Sequence, residues 1–262
     1  MNTSFAISPD GIRVAYDVSG TGPAILLLHG GGRTRRNWHE VGYVERLKSD
    51  FKVIAVDIRG NGESDKPTDP AYYTTDKMGQ DLLAVADACG VERFTIWGFS
   101  YGGNIGRYLA AQSKRVDKII IMGIPFGLGA SGDFRRSIED SRAHWAPIVQ
   151  AQRDGTLDLK SLSQDDQDHL QRTNVPVTLA WLSAMLDWAA IEPADLRCPT
   201  LWLVGSENKN AMASLQECEG ALKESRVQVH VVEGLNHLQE FTEIDKVLPA
   251  MRAFTQSDMS LR

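Results

Sequence analysis

The stretch FTIWGFSYGGNIGRYLAAQ, residues 94–112, contains the transition that decides the fold of this 262-residue chain. Phe94–Trp97 is a short apolar run typical of a buried strand, and the residues from Asn104 onward have a helical pattern. Between them lies Gly98-Phe99-Ser100-Tyr101-Gly102-Gly103, which matches the G-x-S-x-G pattern of a nucleophile elbow. Such an elbow lifts the serine hydroxyl clear of the sheet, at the positive end of a helix dipole. The pattern therefore predicts that Ser100 is a catalytic nucleophile.

Short apolar runs recur on both sides of this stretch and alternate with helical segments. The opening residues SFAIS-PDG-IRVAYDV predict a hairpin of two strands around a Pro-Asp-Gly turn. The other runs are apolar on both faces, as in strands covered by helices: Ala24–Leu28, Val53–Val56, Phe94–Trp97, Ile119–Met122, Leu201–Val204 and Val227–Val232. This alternation predicts an α/β fold with a mostly parallel, doubly wound sheet.

The alternation is interrupted once, between residues 126 and 196, where only helical patterns occur. We expect an α/β core made of residues 1–125 and 197–262, with residues 126–196 inserted after the sixth strand as a helical cap. One helical face of the insertion carries Trp181, Met185 and Trp188. We expect these side chains to line an apolar substrate pocket.

The composition excludes several classes of function. A net charge of -6 and a pI near 5.5 argue against the basic face that nucleic-acid binding needs. The three cysteines are far apart and match no metal-ligand spacing, which favours buried thiols in a reducing compartment. There is no signal-peptide pattern and no apolar run long enough for a bilayer, so we expect a cytoplasmic protein without membrane contacts. We expect a small-molecule substrate and neither metal nor organic cofactor; the sequence leaves a homo-oligomer open.

A second motif predicts the group that would stabilise an oxyanion. The run LLLHGGGRT places His29, Gly30, Gly31 and Gly32 directly after an apolar strand. This is the HGGG type of loop, in which residues without side chains let backbone N–H groups approach the substrate oxygen. We predict the N–H groups of Gly31 and Tyr101 as the oxyanion donors, with Gly32 as an alternative, and a structural role for His29.

A third motif supplies a candidate base. In VVEGLNHLQEF, His237 follows the last predicted strand and lies beyond Gly234, near the C-terminus. Three other histidines lie in polar helical segments, one in a strand and one in the oxyanion loop. The order of serine, acid and histidine along the chain therefore favours His237 as the general base.

Together these motifs resemble the α/β-hydrolase superfamily over essentially the whole chain, in its serine-nucleophile, esterase- and lactonase-like branch with a helical cap. The resemblance is carried by His29-Gly30-Gly31-Gly32, Asp57-Ile58-Arg59-Gly60-Asn61-Gly62-Glu63-Ser64, the elbow around Ser100, and Gly234-Leu235-Asn236-His237. It implies an eight-stranded sheet and structural roles for Asp57 and Arg59. It also implies that the serine separates this chain from the haloalkane dehalogenase and epoxide hydrolase branches, which use aspartate.

The acid of the triad is where the chain departs from this family. The family usually ends its seventh strand with G-x-x-D, whereas this chain has Gly205-Ser206-Glu207-Asn208. In a serine protease, replacing the aspartate by asparagine costs about 10⁴ in turnover, because the amide favours the wrong tautomer and carries no charge.

Three alternatives remain for this loop. Glu207 reaches His237 after a shift of the loop, or Asn208 orients the ring weakly through its carbonyl oxygen, or the triad is disabled. Residue 208 occupies the position of the acid in the G-x-x-D spacing, and Glu207 is the nearest carboxylate. A disabled triad predicts that Asn208→Asp raises kcat by up to several powers of ten. A Ser-His-Glu207 triad predicts instead a large loss for Glu207→Gln.

The sequence thus predicts a serine hydrolase that cleaves a carboxylic ester or lactone of a small, partly apolar substrate through an acyl-enzyme. Among enzymes the alternatives are a C–C bond hydrolase and a cofactor-free perhydrolase of the same fold. The alternative from another class is a receptor-like, ligand-binding protein with weak catalysis, because Asn208 stands in the acid position.

Overall fold

Eight strands form one sheet in the computed structural model, which describes residues 2–256. The strands are β1 (Ser4–Ile7), β2 (Arg13–Ser19), β3 (Ala24–Leu28), β4 (Lys52–Val56), β5 (Phe94–Phe99), β6 (Val116–Met122), β7 (Thr200–Gly205) and β8 (Val227–Val232). Their order across the sheet is β1-β2-β4-β3-β5-β6-β7-β8. The β1–β2 and β2–β4 pairs are antiparallel, and all the other pairs are parallel. This is the α/β-hydrolase sheet, and the predicted fold class is confirmed.

The connections between the parallel strands are helical. The helices are α1 (Arg36–Glu40), α2 (Tyr43–Leu47), α3 (Thr75–Ala88), α4 (Tyr101–Gln112), α5 (Gly132–Arg153), α6 (Gln164–Arg172), α7 (Val175–Met185), α8 (Lys209–Glu217), α9 (Glu219–Lys223), α10 (Gln239–Thr242) and α11 (Ile244–Gln256). Three short 3₁₀ turns lie at Pro70–Tyr72, Leu159–Ser161 and Pro193–Asp195. Because the strand order runs outward in both directions from β3, the chain covers both faces of the sheet, as a doubly wound topology requires.

Strand β3 is apolar along its whole length because both of its faces are covered. Every residue of β3 and of β7 is buried. A run that is apolar on both faces therefore identifies such a strand by a purely local pattern.

An aromatic cluster anchors the C-terminal part of the chain to the sheet. The rings of Trp38, Tyr43, Trp97 and Phe241 are fully buried and pack mostly edge to face, with centroids 4.8 to 5.7 Å apart. The Tyr43 hydroxyl also donates to the Phe241 carbonyl, at 2.9 Å. Since Phe241 belongs to α10, this packing fixes the short helix that follows His237.

The chain divides into two compact units. One contains the sheet, and the other comprises Lys66–Thr74 and Leu128–Ala189, with helices α5, α6 and α7. The second unit contains Lys66–Thr74, a segment that the sequence analysis assigns to the core, and the assignment of residues 126–196 as a cap stays a prediction. Within this unit the two segments are joined by a hydrogen bond, in which the Trp188 indole N–H donates to the Tyr73 carbonyl at 3.0 Å.

Within residues 2–256, none of the helices combines the length and the apolar character that crossing a bilayer requires.

Candidate active site

Ser100 lies in the strained turn that the sequence predicts. It connects β5 to α4, and its φ of 50° and ψ of -116° make it the one non-glycine residue with positive φ among residues 2–256. Its N–H donates to the Met122 carbonyl at 2.8 Å, and its own carbonyl accepts from the Asn104 N–H at 2.9 Å. Both hydrogen bonds hold the serine in a conformation that costs on the order of 1–3 kcal/mol. Strain that the structure maintains in this way points to a functional role for this residue.

The glycines around Ser100 are required by close backbone approaches. A Cβ on Gly98 would lie 2.5 Å from backbone atoms of Gly102 and Gly103, and a Cβ on Gly102 would lie 2.3 Å from the Leu28 carbonyl oxygen. Only glycine fits at such distances. The elbow can therefore pack against the end of β3, where the oxyanion loop begins.

The loop of Gly30, Gly31 and Gly32 lies beside the elbow. The Gly102 N–H donates to the His29 carbonyl at 3.0 Å, and a Cβ on Gly30 would lie 3.5 Å from the Ser100 Cβ. Gly31 is exposed, and its N–H has no internal acceptor in the described part of the chain. The Tyr101 N–H opens helix α4, where the first turn directs its N–H groups outward. Gly30, which precedes Gly31, thus lies beside the serine, and the donor roles of Gly31 and Tyr101 stay a prediction.

His29 is a buried structural residue. Its Nδ1 lies 2.8 Å from the Gly30 carbonyl oxygen and its Nε2 accepts from the Ile58 N–H at 3.0 Å, so Nδ1 carries the proton. Burial lowers the pKa of His29 to about 4. A histidine used in this way holds the oxyanion loop and is not available as a base.

His237 lies next to the elbow. Its ring stacks on that of Phe99, with centroids 5.0 Å apart, and a Cβ on Gly123 would lie 3.0 Å from the imidazole. Phe99 precedes Ser100, and Gly123 follows the carbonyl that accepts from the Ser100 N–H. About half of the His237 side chain is exposed. The structure therefore brings the candidate base and the candidate nucleophile to the same edge of the sheet.

The turn that carries His237 is capped by its neighbour. The Asn236 side-chain oxygen accepts from the N–H groups of Leu238 and Gln239, at 3.1 and 3.0 Å. The Glu240 N–H donates to the Asn236 carbonyl at 3.0 Å and closes the first turn. An asparagine at this position thus stops the strand-loop segment and starts α10, with His237 just outside the helix.

Asn208 is the residue of the β7 loop that approaches His237. It is buried and caps α8, since its Oδ1 accepts from the Ala211 N–H at 3.3 Å. Its Nδ2 lies 3.5 Å from the His237 Nδ1. The same Nδ2 donates to both carboxylate oxygens of Glu240, at 3.0 and 3.1 Å. Because the amide oxygen is engaged by a backbone donor, the N–H₂ edge faces the imidazole.

Glu207 points elsewhere. Its side chain is exposed, and its backbone N–H donates to the Leu235 carbonyl at 3.0 Å. Among the described residues it has neither a hydrogen bond nor an ion pair with His237. The structure thus brings residue 208, and not the carboxylate one position earlier, to the histidine.

A carboxylate that the motifs do not indicate completes the cluster. Glu240 is 1% exposed, and its Oε2 lies 3.6 Å from the His237 Nδ1. Its Oε1 accepts from the Gly205 N–H at 2.6 Å. In the sequence this residue is one glutamate in a short helical segment, three positions after His237, and nothing local marks it as buried. The spacing of three, which places both residues on one side of a helical turn, is the single signal that the sequence carries.

The D-x-R-G-x-G-x-S stretch is used inside the fold. Asp57 accepts from the N–H groups of Arg35 and Glu63, at 2.7 and 2.8 Å, and forms an ion pair with the Arg35 guanidinium. Arg59 pairs with Asp81 and Asp10, and these partners raise its pKa above the usual range. Both side chains tie the loop down, in keeping with the structural roles that the resemblance implies.

The three aromatic and sulfur side chains predicted to line a pocket are all buried. Trp181 and Met185 lie on α7, and Trp188 follows it. Trp188 also packs against Gly129, because a Cβ added to Gly129 would lie 2.7 Å from the Trp188 Cβ. Their contact with a substrate stays a prediction.

Comparison with known proteins gives a family-model match to part of the chain and a consistent fold. A family model described as alpha/beta hydrolase fold matches residues 23–135. The chain is 40% identical over 114 residues to an uncharacterized protein of Mycobacterium tuberculosis. The matched region covers 43% of this chain and 32% of that protein. The matched region spans about a third of the length of the first curated relatives, 32% to 38%.

Solved structures match the whole chain. One of them comes from a study of epoxide hydrolases of the alpha/beta hydrolase superfamily in metagenomes from hot environments. Its TM-score is 0.75 at 22% identity, and the match covers 98% of this chain and 99% of that chain. A thermophilic esterase from Thermogutta terrifontis has a TM-score of 0.71 and 24% identity, with 98% of both chains covered. At these identities the likeness shows the fold.

Proposed function

We propose that this chain, which has the α/β-hydrolase fold, is a serine hydrolase acting on a carboxylic ester or lactone of a small, partly apolar substrate. The observation that carries this proposal is the conformation of Ser100, a strained serine between β5 and the first turn of α4. Its neighbours are a glycine loop with an unbound N–H and an imidazole half exposed to solvent.

The reaction proceeds by acyl transfer to the serine. The Ser100 oxygen attacks the acyl carbon while the His237 imidazole takes the hydroxyl proton, and the N–H groups of Gly31 and Tyr101 hold the oxyanion. The imidazolium returns its proton to the departing alkoxide, so that the C–O bond breaks and an acyl-enzyme remains. Water, deprotonated by the same imidazole, then cleaves the acyl-enzyme.

The identity of the nucleophile favours an ester over an epoxide. A carboxylate that opens an epoxide forms an ester, which water can hydrolyse. A serine hydroxyl that opens an epoxide forms an ether, which has no acyl carbon and would not turn over. With serine at position 100, an acyl substrate is the one that permits both steps.

A second candidate, a ligand-binding protein with weak catalysis, is favoured by the amide at position 208. The Asn208 Nδ2 lies 3.5 Å from the His237 Nδ1, where the family usually has a carboxylate. A protein of this kind would bind small esters and their products with little turnover.

One assay separates the two candidates. Hydrolysis of p-nitrophenyl acetate and butyrate is measured for the wild type and for Ser100→Ala, together with thermal unfolding of both. We expect turnover in the wild type, none above background in the variant, and melting temperatures within a few degrees. Trapping of an acyl group on Ser100, seen by mass spectrometry, would identify the intermediate. Turnover that survives Ser100→Ala would refute the assigned nucleophile, and wild type that binds product without turnover would favour the binding protein.

The predicted pocket has its own test. Trp188→Phe keeps an apolar ring but changes its size, so it should alter the ratio of acetate to butyrate rates if this residue lines the acyl site. An equal change for both esters would assign Trp188 to packing alone.

A further inference from the structure

Glu240 is a buried carboxylate whose basic neighbour is His237. It is 1% exposed, and no lysine or arginine in the described part of the chain forms an ion pair with it. Burial of an isolated carboxylate is costly, so such a group needs hydrogen-bond donors and a counter-charge. The donors are the Gly205 N–H and the Asn208 amide. The cation is formed only when His237 takes up a proton.

Asn208 cannot give the imidazole what a carboxylate would. Its oxygen accepts from the Ala211 N–H, and its Nδ2 faces the Glu240 carboxylate. Turning the amide over would set N–H₂ against the Ala211 N–H and an oxygen against two carboxylate oxygens. The hydrogen-bond network therefore fixes the amide, which presents a donor to the Nδ1 and leaves its acceptor on the other side.

We propose that Glu240 is the positioning residue that supplies the negative charge for His237, in place of a carboxylate at position 208. The inference deepens the serine hydrolase function proposed above and rests on it. The His237 Nδ1–H donates toward the Glu240 Oε2, which leaves the Nε2 lone pair to accept the proton of Ser100. The Glu240 carboxylate stabilises the imidazolium, while the Asn208 amide and the Gly205 N–H keep the carboxylate from turning away.

The distance between the two groups is close to what such a role needs. The Nδ1 and the Oε2 are 3.6 Å apart, slightly longer than a hydrogen bond. Catalytic hydrogen bonds are often long without substrate and shorten once it is bound. A movement of a few tenths of an ångström by the half-exposed imidazole would close this contact.

The first test compares two glutamate-to-glutamine changes near the histidine. Glu240→Gln removes the buried charge, and Glu207→Gln, which alters an exposed carboxylate next to Asn208, is the matched control. On p-nitrophenyl butyrate we expect kcat to fall about 10³- to 10⁴-fold in the first variant, with KM changed little, because the lost interaction acts in the transition state. We expect the control to stay within about twofold.

The second test moves the charge across the hydrogen-bonded pair. In the double variant Asn208→Asp/Glu240→Gln a carboxylate stands near the Nδ1 and the amide stands at position 240. If the charge matters, the kcat of the double variant should be at least about tenfold higher than that of Glu240→Gln alone. A merely structural role predicts that the double variant is no better than the single one.

The third test needs no activity. Nitrogen-15 NMR of labelled His237 in neutral form reports which ring nitrogen carries the proton. We expect the Nδ1–H tautomer in the wild type and a shift toward Nε2–H in Glu240→Gln, where the Asn208 amide donor remains. An Nε2–H tautomer in the wild type would overturn the proposal even if Glu240→Gln failed to fold. So would a kcat within tenfold of wild type in a folded Glu240→Gln. Loss of turnover in the wild type itself would refute the hydrolase function and leave the tautomer result standing.

Discussion

The change Asn208→Asp puts a second carboxylate into a site that already holds one. If the triad is disabled, as one alternative from the sequence has it, this change should raise kcat because it restores the expected acid. The structure alters that expectation, since the Asn208 Nδ2 lies 3.0 and 3.1 Å from the two oxygens of Glu240. An oxygen in its place replaces two hydrogen bonds by a contact between like charges.

The size of this effect follows from the distance. Two unit charges about 3 Å apart repel by about 5 kcal/mol at an effective dielectric constant of about 20. The folded protein can avoid most of this by holding one proton between the two carboxyls, as carboxylate dyads do. The net charge facing the imidazole then stays at one, so we expect kcat to change by less than about tenfold.

The bound proton makes stability depend on pH. In the unfolded chain both carboxyls are ionised above about pH 4, whereas the folded variant keeps one proton. The folded state therefore binds one proton more, and the free energy of unfolding should fall by about 1.4 kcal/mol for each pH unit, until the pair ionises.

Urea unfolding at pH 5, 6, 7 and 8 measures this slope as the difference between variant and wild type. Asn208→Ser, which removes the amide without adding a charge, is the control and should show no additional slope. The reasoning would be refuted by parallel pH curves together with a kcat increase of a hundredfold or more. That result would mean that the new aspartate acts as the acid without opposition from Glu240.

Three further perturbations follow from the same contacts. Gly123→Ala should lower kcat at least about 10²-fold, because residue 123 has a φ of 79° and the new Cβ would lie 2.8 Å from the Glu240 Oε2. The control Gly90→Ala also has a positive φ, of 65°, but its Cβ would have nothing within 4 Å, so kcat should stay unchanged. Trp188→Phe should lower the free energy of unfolding by about 1–2 kcal/mol, measured in urea, because it removes a buried N–H···O=C hydrogen bond. Burial lowers the pKa of His29 from 6.5 to about 4, so its contribution to the free energy of unfolding should be complete only well above pH 6.5 and should decline by about 2 kcal/mol from pH 7 to pH 5. A pH curve that does not flatten in His29→Gln would assign that loss to other groups.

The sheet and the elbow could be predicted because their signals are local. The run Ala24–Leu28 coincides with β3, and Val227–Val232 coincides with β8. β3 is covered on both faces and apolar at every position, so its limits appear directly in the residue pattern. β8 is instead a largely exposed edge strand, in which Gln228 and His230 interrupt the valines. The G-x-S-x-G turn is equally local, since its glycines and its serine are all defined by one strand-to-helix transition.

Glu240 could not be predicted in the same way because its burial depends on distant residues. Its carboxylate is held by the Gly205 N–H and by the Asn208 amide, which lie more than 30 positions earlier in the chain. The two loops meet closely, since a Cβ on Gly205 would lie 2.1 Å from the Leu235 carbonyl oxygen. A glutamate in a polar helical segment is normally exposed, and no periodicity distinguishes this one.

The amide at position 208 and the carboxylate at position 240 are best understood as one feature. Two carboxylates at their separation would repel, and two amides would leave the imidazole without a charge. With one of each, the amide donates to the carboxylate and the carboxylate faces the Nδ1. The loop after β7 then supplies the Asn208 amide, which holds the carboxylate, at the position where the family usually has the acid. The helix after His237 supplies the charge, on Glu240. An asparagine in the acid position is therefore compatible with a working triad, provided that the negative charge it lacks is present within reach of the same ring nitrogen.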